Sequence, residues 1–87
     1  MKINESLKLI SDTFWQVKDK KDFKNVLEDL LTPSEVCEIA DRIKILKNLK
    51  NDISQREIAK KLWVSITTVS RWNRILRYQR KAIHKYI

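Results

Sequence analysis

The 87-residue chain contains no glycine, one proline and one cysteine. Without glycine there is no phosphate-cradling glycine loop, and tight two-residue hairpins lose the residue they favour. Cys37 has no second cysteine to pair with, so no intrachain disulfide forms and a reducing, cytoplasmic setting is expected. His84 is the only histidine and no Cys/His cluster surrounds it, so no metal is expected. No nucleophile, base and orienting group can be picked out as a set, and the chain is not expected to be an enzyme. No run approaches the roughly 20 apolar residues that span a bilayer. The opening MKINESLKLI also lacks the unbroken apolar core of a secretory signal, so a soluble protein without a membrane partner is expected.

What the chain has in excess is positive charge, and that charge is unevenly placed. The formal net charge is +8. From Met1 to Gln55 ten Lys/Arg face ten Asp/Glu, whereas from Arg56 to Ile87 nine Lys/Arg face Glu57 alone. Such asymmetry fits a polyanion-binding face, a solvated basic tail or a basic membrane-surface helix. Which of these applies depends on the motif that carries the charge.

The apolar residues recur at helical spacing. Ile3, Leu7, Ile10, Phe14 and Val17 share one helix face. Lys18 to Asp22 reads as a break, followed by a second helix carrying Phe23, Val26, Leu27, Leu30 and Leu31. Thr32-Pro33-Ser34-Glu35 is a capping box with proline in the first turn. It opens a central helix with Val36, Ile39, Ala40, Ile43 and Leu46 on one stripe, ended by Asn51-Asp52. Cys37, beside that stripe, reads as a small helix residue. Ser54-Gln55-Arg56-Glu57 is a second capping box, opening a short helix that ends near Leu62. Ser65 caps another helix that can run to Arg77 or beyond. Phe14 and Trp15 read as core or dimer interface; Tyr78 and Tyr86, interleaved with basic residues, read as packed residues, with stacking on bases as the alternative. The expectation is one all-α domain of five to six helices: dimerisation helices over 1–31, a central helix over 32–51, a helix-turn-helix over 54–77 and a basic tail or helix over 78–87. So small a core makes oligomerisation expected.

Residues 55–74 meet the requirements of a helix-turn-helix one by one. Ile58 and Leu62 face inward, Ala59 is small where the helices touch, and Val64 plugs the turn. Val69 and Trp72 face inward from the second helix. Trp63 is the exception, standing where a glycine would relieve a left-handed backbone; either the turn differs or tertiary contacts hold the strain. At 100° per residue Val69, Trp72 and Leu76 point to the core, and Ile66, Thr67, Ser70, Arg74 and Arg77 point away. In a major groove Ile66 or Thr67 would meet thymine methyls, Ser70 several bases, and Arg74 guanine or phosphate. Arg56, Lys60, Lys61, Arg77, Arg80, Lys81 and Lys85 would contact phosphates, which position without specifying. Charge and reading face occupy one segment, which favours double-stranded DNA as the polyanion.

LTPSE at Leu31–Glu35, then Arg42, SQREI at Ser54–Ile58 and SITTVSR at Ser65–Arg71 together resemble the Trp repressor superfamily. The resemblance covers about Leu30 to Leu76. It implies an intertwined homodimer, a two-fold operator, repression as the outcome, and L-tryptophan as the corepressor of the tryptophan-responsive members. Arg42 and Arg71 match the two arginines that sandwich the ligand's indole, and Thr32 and Thr68 match neighbouring contacts. Three residues depart from the pattern: Trp72 replaces a glycine beside the ligand, Ile75 a serine, and Asp29 an apolar contact from the partner chain. Trp72 reads either as an ordinary core residue or as an internal substitute for the corepressor, and both readings predict weak tryptophan binding. Without the resemblance, Arg42 reads as a surface partner for Asp41 or Glu38. Outside the sequence-specific regulator, the competing class is a protein-interaction module that docks a helix-turn-helix on the transcription machinery.

Overall fold

Four of the five α-helices start at a side chain that satisfies a free backbone N–H, and the first, preceded by Lys2, has no such cap. The computed structural model describes residues 2–79 and 82–87. Its helices are α1 (Ile3–Trp15), α2 (Lys20–Leu30), α3 (Pro33–Lys50), α4 (Gln55–Leu62) and α5 (Ile66–Arg74). A π-helical turn (Ile75–Gln79) continues α5, a 3-10 helix spans Ala82–Tyr86, and no strand occurs among the described residues. The all-α expectation holds. The break between α1 and α2 is earlier than expected, because Asp19 caps α2 by accepting from Asp22 N at 2.8 Å and draws Lys20–Asp22 into the helix.

Contacts divide the chain into two units, Met1–Val36 and Cys37–Ile87, with the boundary inside the first turns of α3. In the first unit Phe14 and Phe23 meet with ring centroids 5.4 Å apart. Neither α1 nor α2 buries a single residue, and Ile3, Leu7, Leu9, Ile10, Trp15 and Leu30 are all exposed. The Thr32 box is complete: Glu35 N donates to Thr32 Oγ1 at 3.2 Å, and Thr32 N donates to Glu35 Oε1 at 2.9 Å.

The second unit holds the core, formed by Ile45, Leu46, Leu49, Ile58, Val69 and Leu76. Ile53, Ala59, Leu62, Val64, Trp72, Ile83 and Ile87 pack around it. Inward placement of Ile58, Leu62, Val64, Val69 and Leu76 is thus as expected. The central-helix stripe is not. Only Leu46 of the expected set is buried, and Val36, Ile39 and Ile43 are exposed. The helix carries two apolar strips, centred roughly 120° apart at about 100° per residue. The core takes the Ile45–Leu49 strip.

A further departure concerns the C-terminal third. Tyr78 and Tyr86 are exposed rather than packed, because buried Leu76 and partly buried Ile83 and Ile87 occupy the inward positions. Residues 82–86 form a 3-10 helix, and Lys50 Nζ donates to the carbonyls of His84 and Ile87, each at 2.6 Å. His84 Nε2, 3.1 Å from the Leu76 carbonyl, donates to it.

Both left-handed residues among the described residues end helices. Asp52 (φ 61°) closes α3 with Ile53 N on Asn48 O and Asp52 N on Leu49 O. This is a Schellman pattern, and aspartate tolerates its backbone. Trp63 (φ 58°, ψ 40°) closes α4, with its own N–H and that of Val64 on the Ala59 carbonyl. Its side chain is 94% exposed, so no packing of the indole offsets the strain of about 1–2 kcal/mol. The backbone bonds and the inward Val64 hold it instead.

Two measurements follow from these termini. Trp63→Gly relieves the left-handed strain at some cost in chain entropy, for a net gain of roughly 0.5–1 kcal/mol. Its thermal midpoint should rise by a few degrees, and an unchanged or lower midpoint would show that the indole is supported in a way its exposure conceals. The hydrogen bonds from Thr32, backbone first and hydroxyl-linked second, hold the Glu35 carboxyl below its ordinary value of 4.5. A lowered carboxylate stabilises above the ordinary value, and that contribution fades as pH falls through the folded one. Carboxyl NMR titration should find Glu35 low, and Thr32→Ala should move it back upward.

Candidate nucleic-acid interface

α4 and α5 pack on each other through Ile58 and Val69, each 0% exposed, which fixes the second helix beneath an open outer face. On that face Ile66, Thr67 and Arg74 are exposed. Arg56, Lys60 and Lys61 on α4 are also exposed, and none of these cations is ion-paired among the described residues. They lie within one helix-turn-helix, so their field converges on one part of the surface. Lys85 is exposed on the 3-10 helix, and Arg80 and Lys81 lie outside the described residues.

Two residues expected on this face are engaged within the protein. Ser70 is half-buried and its Oγ donates to Gln55 Oε1 at 2.5 Å, bridging α5 to the first residue of α4. With its one proton committed, the hydroxyl retains only acceptor lone pairs. Arg77 is turned toward other protein groups: its Nε donates to Asn73 Oδ1 at 3.0 Å, and Nη2 lies 3.8 Å from Asp52 Oδ1. The pair with Asp52 is half-exposed and weak.

The residues singled out for an effector differ in what engages them. Thr32 is occupied in capping α3, in the first unit. Thr68 N donates to Ser65 Oγ at 3.1 Å, and the two hydroxyls share a 2.8 Å bond, so Thr68 belongs to the cap of α5. Arg42 and Arg71 do come together, and what they meet is a side chain of this chain. The Arg42 guanidinium carbon lies 5.4 Å from the centroid of the Trp72 ring, and that of Arg71 lies 5.7 Å from it. Neither arginine is ion-paired among the described residues, so Arg42 is not the partner of Asp41 or Glu38. Each contact contributes about 0.5–1 kcal/mol where exposed and roughly 2 where desolvated. Trp72 is half-buried and packs against the core, so the pair is anchored at its base.

This arrangement does not suit a bound indole ligand. A second aromatic ring would have to displace Trp72 from the guanidinium groups it already meets. The residues present therefore do not fit free tryptophan in the manner that the arginine pair alone would suggest.

The family model described as Trp repressor protein matches residues 5–87. The chain belongs to that family. Among curated relatives, a protein named Trp operon repressor homolog from Xylella fastidiosa strain 9a5c is 51% identical over 51 residues. Homologs of the same name from strains M23 and Temecula1 match equally. The match covers 58% of this chain and 55% of each relative, so the chain spans about half the length of the relatives it matches. No solved structure matches. No described helix is long and apolar enough to cross a membrane, and no group of potential metal ligands occurs among the described residues.

Sequence reasoning missed Gln55 as a structural partner of Ser70. The signal was present, since a glutamine opens the first helix of the pair, but its partner lies 15 residues away. A double-mutant cycle on Gln55→Ala and Ser70→Ala should return a coupling of about 1 kcal/mol in urea unfolding. Additive losses would mean the bond adds nothing to the positioning of α5.

Proposed function

We propose that this chain is a sequence-specific DNA-binding transcriptional repressor that acts as a homodimer on a two-fold operator. The observation that carries the reading is the outer face of α5, open over Ile66, Thr67 and Arg74 beside the unpaired cations of α4. A recognition helix enters the major groove with its N-terminal residues at base edges. Ile66 and Thr67 then supply methyl contacts to thymine. Ser70, reduced to an acceptor, suits the amino groups of adenine or cytosine. Arg74 reaches guanine or phosphate, and Arg56, Lys60 and Lys61 hold the backbone. Arg77 joins them on leaving Asp52.

The second copy is supported by the first unit. Two helices that bury none of their residues present an apolar face that a second copy can cover. A two-fold pair of reading heads in turn suits a two-fold operator. The family relationship and the relatives named Trp operon repressor homolog support repression as the outcome. A cytoplasmic setting accords with contact with DNA and with the unpaired Cys37.

The test begins with selection of duplexes from a randomised pool, followed by anisotropy at fixed salt. A palindromic site bound by a dimer is the expected result. Arg56→Ala, Lys60→Ala and Lys61→Ala should each weaken all duplexes alike and lower the salt slope by about one. Thr67→Ala should relax preference at one position of the site, by about 1–3 kcal/mol. Leu7→Asp or Ile10→Asp should shift the protein toward monomer in light scattering and weaken operator binding. Enrichment of no sequence, with or without L-tryptophan, would favour the interaction module instead.

A further inference from the structure

Three features of the chain are unexplained by DNA binding as such: two guanidinium groups without acidic partners among the described residues, one indole beneath both, and the helices these side chains come from. Arg42 belongs to α3, whereas Arg71 and Trp72 belong to α5. The cluster therefore ties the DNA-reading helix to the helix that supplies half the core. Two like charges near one another repel unless something electron-rich lies between or beneath them. In this chain the Trp72 ring is that group, at 5.4 and 5.7 Å from the two guanidinium carbons.

We infer that Trp72 is a built-in occupant of the Arg42–Arg71 pair, so that α5 is set for DNA without a small-molecule corepressor. The inference rests on the DNA-binding reading and states how that activity is regulated. A ligand shifts a conformational equilibrium only as far as it binds one state better than the other. Here the contacts that a planar aromatic ligand would make are already made by a tethered side chain at very high effective concentration. An added aromatic amino acid must compete with that side chain and gains no new state to favour. Trp72 and Arg42 act here as positioning residues, and neither is assigned a contact with a base.

The test uses the full chain and a duplex it has itself enriched from a randomised pool. Wild-type affinity should change less than twofold on adding L-tryptophan to millimolar concentration, and calorimetry should register no binding. A tenfold or greater tightening of the wild type would overturn the inference. Trp72→Gly should lose at least tenfold in affinity and regain much of it with indole or L-tryptophan as the added probe. Wild-type affinity in Trp72→Gly without any probe would also overturn it.

Arg42→Gln guards against a glycine variant that does not fold, because Arg42 is exposed and no described core residue depends on it. Its circular dichroism should be unchanged while DNA affinity falls several-fold and the salt slope stays as in the wild type. Unaltered affinity would sink the positioning role. A slope lowered by about one would make Arg42 a phosphate contact, which equally overturns it. A wild type that enriches no duplex under either condition would instead defeat the DNA-binding reading from which this one starts.

Discussion

The outward face of α5 depends on what its inward face is doing. Val69 and Leu76 are almost completely withdrawn from water together with Ile58 of α4 and Ile45 and Leu49 of α3. Each such side chain contributes roughly 1.5–3 kcal/mol by its burial. In a unit with so few buried residues, that sum decides how α5 sits. The rotation of α5 about its own axis is fixed by Val69 and Leu76 pointing inward, and this rotation leaves Ile66, Thr67 and Arg74 facing out. Polar links then refine the position. Ser70 bonds to Gln55 across the pair of helices, and Trp72 meets Arg42 across to α3. The core chooses the face, and these two links limit how far the helix can rock.

The helix-turn-helix turn shows how a chain without glycine closes two adjacent helices. Asp52 and Trp63 take the left-handed positions that end α3 and α4, where glycine would do so without steric cost. In each case the next residue is apolar and packs against the core: Ile53 after Asp52, and Val64 after Trp63. Each of these two residues also donates its N–H back to the helix it leaves. The left-handed residue thus directs its successor inward, and the burial of that successor offsets the strain. Asp52 has a polar side chain suited to this conformation, whereas Trp63 relies wholly on Val64 and the Ala59 carbonyl.

Much of this architecture was legible because the relevant forces are local. Thr32 with Glu35, Ser54 and Ser65 each announce a helix start, and a cap needs only four residues of sequence to be recognised. Ile58, Ala59, Leu62, Val64 and Val69 were legible as an inward set because helical periodicity and the tight turn leave little freedom. Asp19 was not recognised as a cap, since a run of alternating charges resembles a solvated break. The α3 stripe was misplaced because the helix has two apolar strips, and periodicity alone does not say which one meets this core. Ser70 was assigned to the outer face by its wheel angle, yet Gln55 was near enough to claim its proton. Tyr78, Tyr86, Ile83 and Ile87 depend on how residues 82–87 fold back, which is set by Lys50 at a distance of more than thirty residues. Local signals gave the elements; the non-local polar contacts had to be seen.

The two units of the chain leave different kinds of surface unsatisfied. Met1–Val36 contains helices whose apolar residues remain open to water, while its Lys8–Asp12 and Lys24–Glu28 pairs occupy exposed positions. Such pairs add little stability, and they leave the apolar side chains as the dominant unpaired feature. Cys37–Ile87 has a buried core, although Ile39, Ile43, Trp63, Ile66, Tyr78 and Tyr86 stay exposed, and it adds a surplus of unpaired charge. Apolar surface is relieved by another apolar surface, and clustered cations are relieved by a polyanion. A second copy of the chain and a DNA duplex are the proposed partners of those two surfaces. The Trp72 cluster belongs to neither: its two cations are met from within, beside the helix that would read DNA. Relief of that one local deficit inside the protein is what separates the setting of α5 from the supply of a ligand.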